Sequence, residues 1–206
     1  MSNLQKKIPF MAAVFGHLIF QIFIAYRAAE ATTRNVNMKT VAESNRLFLG
    51  LASIMLILFM SFVPLPIPVK VAVFGIISFL GGMSIHDIPN LQEALLEVIG
   101  IFILMFTMGV FTVQMGYNLN ILGIVLIFSL LAVLIARVIN VYSSRSLDSR
   151  VSRNKSYTKI LTLIFALFVV YDTNTILQRN YSGDFVNASL DYFMDIINLL
   201  RLSENE

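Results

Sequence analysis

The sequence predicts an all-α fold, a polytopic membrane protein built as a bundle of seven transmembrane helices. Three observations carry that expectation. The 206-residue chain is 57% hydrophobic and only 13% charged, whereas a soluble globular protein is about 45–50% apolar and about 25% charged. Seven apolar stretches follow one another along the chain, and about 20 apolar residues are enough to cross the hydrocarbon of a bilayer. Together they use most of the sequence, so residues 1–206 read as a single transmembrane domain.

The first stretch, about Phe10 to Tyr26, follows Lys6 and Lys7. With Ala29-Glu30-Ala31 behind it, it loosely imitates a secretory signal and its cleavage site. Its apolar part is slightly long for that, and it reads as an uncleaved first helix. The second, about Leu47 to Val63, stops at Pro64-Leu65-Pro66-Ile67-Pro68. Proline lacks a backbone N–H and disfavours helix in the residue before it, so this run is a tight connector. The third, about Val69 to Ile85, carries Gly81-Gly82, which permits close helix packing. His86-Asp87-Ile88-Pro89-Asn90 then turns the chain into the fourth, about Leu91 to Val113.

The fifth stretch covers about Leu119 to Ala136 and is followed by Arg137, whose long side chain is expected to snorkel to the headgroups. A hydrophilic connector, Ser143 to Thr158, leads to the sixth, about Ile160 to Leu177. The seventh, about Asp184 to Leu202, is interrupted by polar residues.

The absence of cysteine excludes disulfides, thiolate metal sites, iron–sulfur clusters and cysteine nucleophiles. The net charge of +3 is small and its basic residues sit in loops, so the expected partner is the lipid bilayer and not nucleic acid. Lys6, Lys7, Lys70 and Arg179 fall on the N-terminal side of a seven-span chain. Arg27, Arg34, Lys39, Arg46, Arg145, Arg150, Arg153 and Lys155 fall on the other. By the positive-inside rule this count leaves the N-terminus outside the cytoplasm.

Charge inside a span is costly, about 2.5–3.5 kcal/mol for Asp at a helix centre, and the last two stretches hold most of it. In the final helix Asp184, Asn187, Asp191, Asp195 and Asn198 recur at spacings of three and four, which is one helical face. Phe185, Leu190, Phe193, Met194, Ile196, Ile197 and Leu200 occupy the rest. The expected helix shows an apolar surface to lipid and neighbouring helices and turns the carboxylate-and-amide stripe inward. The alternative is a helix lying flat at the interface. Such helices usually carry a Lys/Arg-rich polar face, whereas this one is acidic and amidic until Arg201.

Asp191 and Asp195 are like charges one turn apart, which destabilises a helix when both ionise. A shared proton or a bound cation relieves that cost. At the end of the sixth stretch Asp172, Thr175 and Arg179 share a face. Asp172 either lies wetted near the helix end, with Arg179 as a loose partner, or faces the Asp195 stripe across the short hairpin that joins the two helices. Two carboxylates that meet in a low-dielectric site titrate as a coupled unit, which makes a proton switch. The same oxygens, with Asn198 or Thr175, suit a hard cation such as Ca²⁺. In the fourth stretch Glu93 reads as a solvated helix-start residue and Glu97 as a deeper candidate for a pathway carboxylate. His86, beside Asp87, reads as part of a turn.

Tyr171-Asp172-Thr173-Asn174, followed by Leu190-Asp191-Tyr192-Phe193-Met194-Asp195-Ile196-Ile197-Asn198-Leu199-Leu200-Arg201, resembles the signature of the Bax inhibitor family. This is the transmembrane Bax inhibitor motif family, which includes the Golgi anti-apoptotic proteins. Its members carry a YDTQ-like motif ending one span and an LYLDIINLF-like motif in the next. The resemblance implies a seven-helix fold with a central last helix ringed by the others. It also implies a non-enzymatic, pH-sensitive Ca²⁺ leak that suppresses cell death, with no cofactor and Ca²⁺ as the transported or bound ion. On the same basis the family's aspartate pair, a candidate Ca²⁺ site, falls on Asp172 and Asp195. Asp191, Asn198, Thr175 and Glu97 are then the supporting polar groups.

The location implied is the ER or Golgi membrane for a chain from a eukaryotic cell or its virus, and the plasma membrane for a bacterial one. Apoptosis regulators or other channels are the implied partners. A cytosolic N-terminus is implied as well, opposite to the charge count. Two departures stand out. Asn174 replaces the usual Gln, and the end of the second stretch, Phe62-Val63-Pro64-Leu65-Pro66, lacks the basic residue that in some members latches to the first aspartate.

Two other function classes remain open to the sequence. One is a membrane interaction protein that regulates apoptosis without transport, its aspartates structural. The other is an intramembrane aspartyl protease of the presenilin type, from Tyr171-Asp172 and Gly183-Asp184. In that reading the first glycine of the GxGD motif would fall at Tyr181, and no Pro-Ala-Leu follows.

Overall fold

The computed structural model describes residues 3–143, 147–179, 181 and 183–203, without the side chains of 3, 4, 137, 138, 140–143 and 147–155. Among the described residues eight helices follow in order: α1 (Asn3–Arg34), α2 (Val36–Ser44), α3 (Arg46–Phe62), α4 (Ile67–Ser84), α5 (Leu91–Gln114), α6 (Asn120–Ser143), α7 (Leu147–Gln178) and α8 (Phe185–Ser203). The expected count of seven is therefore corrected by one. The addition is α2, nine residues too polar and too short to announce themselves by apolar periodicity. It starts where the Asn35 side chain accepts the backbone N–H groups of Asn37 and Met38, at 3.0 and 3.3 Å. This is the job of an N-cap, since the first N–H groups of a helix have no partner within it.

Of the seven expected spans, four or five are matched by helices that qualify as candidate membrane spans. Among the described residues four helical segments are long and apolar enough to cross a membrane: Gln5–Arg34, Ile67–Ser84, Leu91–Gln114 and Ser156–Gln178. A fifth is added if α2 and α3, bent by 77° at their junction, count as one broken span. The described apolar part of α6, Asn120–Ala136, is shorter. In α8 the charged residues Asp191, Asp195 and Arg201 fall within 19 residues. The connector expected from Ser143 to Thr158 is helix from Leu147 onward. That stretch contains neither Gly nor Pro, and polar side chains alone do not end a helix. The Arg137 side chain, and the connector residues 144–146, lie outside the described residues.

The chain divides into two compact units, Met1–Leu91 with Asn180–Ile197, and Gln92–Arg179 with Asn198–Glu206. In the first, α1 packs along α4, and α3 along α4. The closest approach is at Gly82, where an added Cβ would stand 2.2 Å from the Ala25 carbonyl oxygen and 2.7 Å from the Ala28 Cβ. The residue must be glycine for α1 and α4 to lie this close. α8 packs on both helices: Tyr192 stacks on Phe15 of α1 at 6.0 Å, and Phe193 meets Phe74 of α4 edge-on at 5.1 Å. Tyr192, Phe193 and Phe74 are fully buried.

Each end of this unit is tied by polar contacts. At one end Lys70, 7% exposed on α4, pairs with the Oδ2 of Asp184 ahead of α8. The other carboxylate oxygen of Asp184 accepts the Asn187 N–H at 3.2 Å, so a single side chain caps α8 and holds the lysine. At the other end Thr33 donates to the His86 carbonyl at 2.9 Å, and Arg46 pairs with Asp87 at 3.3 Å. His86 shares a hydrogen with the Met83 carbonyl at 2.7 Å, within its own turn.

In the second unit α6 packs along α7, and α5 approaches α7 at Gly109. A Cβ there would lie 2.5 Å from the Thr173 Cβ and 2.9 Å from the Val170 carbonyl oxygen. Val98 and Phe102 of α5, Leu126 of α6, and Leu161, Val169 and Ile176 of α7 are buried.

Candidate functional site

The run Tyr171–Asn174 lies near the end of α7, and three of its four residues are spent on packing inside the second unit. The Tyr171 ring covers Gly123 of α6, where a Cβ would fall 2.4 Å from a ring carbon. Thr173, fully buried, fills the space left by Gly109 of α5 and donates its hydroxyl to the Val169 carbonyl at 2.7 Å. Asn174, 2% exposed, secures the turn between α5 and α6.

That turn shows why an amide is needed. α5 ends with Gly116 at φ +77°, the Gly116 N–H bonded to the Val113 carbonyl and the Tyr117 N–H to the Thr112 carbonyl. This is the Schellman pattern, in which a left-handed glycine closes a helix. Asn118 opens α6 by accepting the Asn120 N–H at 3.0 Å. Between these two devices the Tyr117 carbonyl and the Leu119 N–H are left over, and a backbone polar group away from water needs a partner. Asn174 reaches both, accepting Leu119 at 3.3 Å and donating from Nδ2 to Tyr117 at 2.9 Å, a carbonyl that also accepts the Gln178 amide at 2.7 Å. It also donates to the Thr112 hydroxyl at 2.9 Å and accepts from the Gln178 amide at 3.2 Å.

All four hydrogen-bonding positions of this side chain are thus in use. Asn174→Ala should cost about 2 kcal/mol, since it strands the Leu119 N–H and removes two further bonds, while the Tyr117 carbonyl keeps the Gln178 amide at 2.7 Å. Asn174→Gln, which restores the donors and the acceptor one methylene away, should cost about 1 kcal/mol. Thermal unfolding in detergent micelles checks both.

Asp172, between these packing residues, is half-buried, as is Thr175 one turn beyond it. Glu93 and Glu97 are exposed on α5. In the first unit the α8 stripe is graded. Asn187 and Asp191 are half-buried, while Asp195 is 5% exposed. Asp191 accepts the Tyr181 hydroxyl at a long 3.5 Å, and Tyr181 in turn packs on Phe10. Val186, Leu190, Tyr192, Phe193, Ile196 and Ile197 are the buried surface of the helix. Asn198, half-buried, begins the part of α8 that belongs to the second unit. Of the acids singled out from sequence, Asp191 and Asp195 lie in the first unit, and Asp172 and Glu97 in the second.

The family model described as "Inhibitor of apoptosis-promoting Bax1" matches residues 8–202, nearly the whole chain. This protein belongs to the Bax inhibitor family. Membership supports a cell-death-suppressing role, and the long apolar helices make this Bax inhibitor an integral membrane protein in contact with lipid.

Sequence reasoning missed several residues of this Bax inhibitor. The end of α3 is uncharged as expected, but a basic residue nearby, Lys70, engages Asp184, an acid outside both motifs. Gly109 and Gly123, which receive Thr173 and Tyr171, gave no signal. His17 and Gln21 lie within the first apolar stretch. Two hydrogen-bonding side chains one turn apart on a spanning helix are themselves a sign of an internal polar contact.

Proposed function

We propose that this Bax inhibitor is a non-enzymatic, proton-gated cation leak, with Asp172 and Asp195 as its titrating groups and Ca²⁺ as the conducted ion. The observation that carries the reading is the burial of Asp195, 5% exposed on a helix whose other buried residues are almost all apolar. A carboxylate so enclosed is expensive to keep ionised unless a proton or a cation is supplied. The division of labour within Tyr171–Asn174 adds support. Its other three side chains are engaged in packing and hydrogen bonds, which holds the backbone of Asp172 in a fixed setting. The two acids are proposed to titrate as one coupled unit. Ca²⁺, a hard cation, would use their oxygens together with those of Thr175 and Asn198. The membrane proposed is that of the ER or Golgi in a eukaryotic host or its virus, and the plasma membrane in a bacterium.

The test is Ca²⁺ flux into liposomes holding the purified protein, measured across a pH series. Asp172→Asn and Asp195→Asn should each abolish most of the pH response. If neither alters the flux or its pH response, the leak mechanism fails. Retained binding of an apoptosis regulator by those variants would then favour a role through contacts alone.

A further inference from the structure

A chain of four polar side chains runs through the first unit, among α1, α4 and α8. Ser78 of α4 donates its hydroxyl to the Oε1 of Gln21 on α1 at 2.7 Å. The Gln21 Nε2 stands 3.0 Å from the Nε2 of His17, one turn earlier. The other ring nitrogen, Nδ1, lies 2.7 Å from the Ser189 hydroxyl of α8, and that hydroxyl donates to the Val186 carbonyl at 2.8 Å. Gln21, Ser78 and Ser189 are fully buried, and the imidazole is flanked by the rings of Phe74 and Phe185 at 5.1 and 5.5 Å.

The directions of these bonds define the ring. Ser189 spends its hydrogen on Val186, so it accepts from Nδ1–H. Ser78 spends its hydrogen on the Gln21 carbonyl oxygen, so the amide NH₂ faces His17 and Nε2 must accept. The imidazole is therefore neutral, with its hydrogen on Nδ1. The arrangement has one further property. A proton arriving at Nε2 turns that atom into a donor. The chain accommodates it by rotating the Gln21 amide through half a turn, so that Oε1 accepts from His17 and Nε2 donates to Ser78. The Ser78 hydrogen is then released to a carbonyl of the preceding turn of α4, a common partner for serine in a helix. No side chain leaves its place: the His17–Gln21 and Gln21–Ser78 bonds reverse their sense, while those from Nδ1 to Ser189 and from Ser189 to Val186 keep theirs.

We propose that His17, Gln21, Ser78 and Ser189 form a reversible proton-binding relay in the first unit, a site separate from Asp172 and Asp195. Charged and titratable groups on the packed elements are Lys70 of α4, held by Asp184, Asp191 and Tyr192 of α8, which meet Tyr181 and Phe15, Asp195 of α8, and Tyr26 and Arg27 of α1, the latter paired with Glu30. On α1 itself Lys7 lies over the Phe10 ring, 5.7 Å from its centroid. The flexible element of the relay is the Gln21 amide.

The sequence contains two histidines, so His86→Gln leaves His17 as the only imidazole. The full chain carrying that change, labelled with ¹⁵N-histidine and held in lipid nanodiscs, reports the tautomer directly by NMR. The expected result is the Nδ1–H form at alkaline pH, converting to imidazolium on acidification. An Nε2–H form, or a ring that stays neutral at every pH at which the protein remains folded, overturns the proposal. In the same background Gln21→Met, which removes the reversible acceptor, should lower the proton affinity of His17 about tenfold. Gln21→Glu, which keeps the shape and supplies a charged acceptor, should raise it by a similar factor. An affinity unmoved by the variants that fold also overturns it. The readout is independent of Ca²⁺ flux, so failure of the leak mechanism would leave this result standing.

Discussion

Gly82→Leu should give no folded protein, and Gly82→Ala a protein destabilised by about 3 kcal/mol. The space for a side chain is taken by backbone. The Ala25 carbonyl oxygen would stand 2.2 Å from the new Cβ and the Ala25 carbonyl carbon 2.9 Å. Neither can rotate away as the end of a long side chain can, so α1 and α4 must part. Tyr192 and Phe193 of α8, which pack on one helix each, would be loosened with them. Gly75 is the control. It lies on the same helix with nothing within 4 Å of its added Cβ, so Gly75→Ala should leave the melting temperature in detergent unchanged or slightly raised. A Gly82→Ala protein as stable as the Gly75→Ala one would show that the two helices are not in this contact.

The second large effect is expected at Lys70. Removing one member of an enclosed ion pair leaves the other charge without compensation, a loss of about 3–5 kcal/mol. Asp184 is the stranded partner in Lys70→Met, and its side chain is 23% exposed, which puts the expected loss at the lower end, about 3 kcal/mol. The double variant Lys70→Met/Asp184→Asn should recover about half of it, because the amide can still accept the Asn187 N–H while needing no cation. A double-mutant cycle on thermal unfolding reads the coupling. Single variants whose losses simply add would mean that the pair contributes nothing to holding α4 and α8 together.

Helices bounded by strong punctuation were legible from sequence. The expected Leu47 to Val63 and Leu91 to Val113 correspond to α3 (Arg46–Phe62) and α5 (Leu91–Gln114) within a residue or so at each end, with Pro64 just after the first and Pro89 just before the second. Where the boundary is only a change in polarity, the reading failed. α7 begins 13 residues before Ile160, as the difference between 160 and 147 gives, since Ser, Arg and Lys continue a helix as readily as they form a loop.

The candidate site divides in the same way. Spacing alone brought out the Asp191–Asp195 stripe and the Tyr171–Asn174 run, as periodicity along one helix is local information. The work of Asn174 is not local. Its partners Thr112, Tyr117 and Leu119 are 62, 57 and 55 residues away. Lys70 and Asp184 are 114 residues apart. The same lysine entered the orientation count as a free loop charge, whereas it is buried and neutralised by a partner.

Every residue of α8 is buried or half-buried, although the helix carries three charged side chains. Such a segment is poorly suited to partition into lipid alone during biogenesis. It is translated after α1 and α4, the helices that supply its aromatic and hydrogen-bonding partners. Its entry into the bilayer is thus expected to depend on α1 and α4, and a lesion in the first helix should be felt at α8.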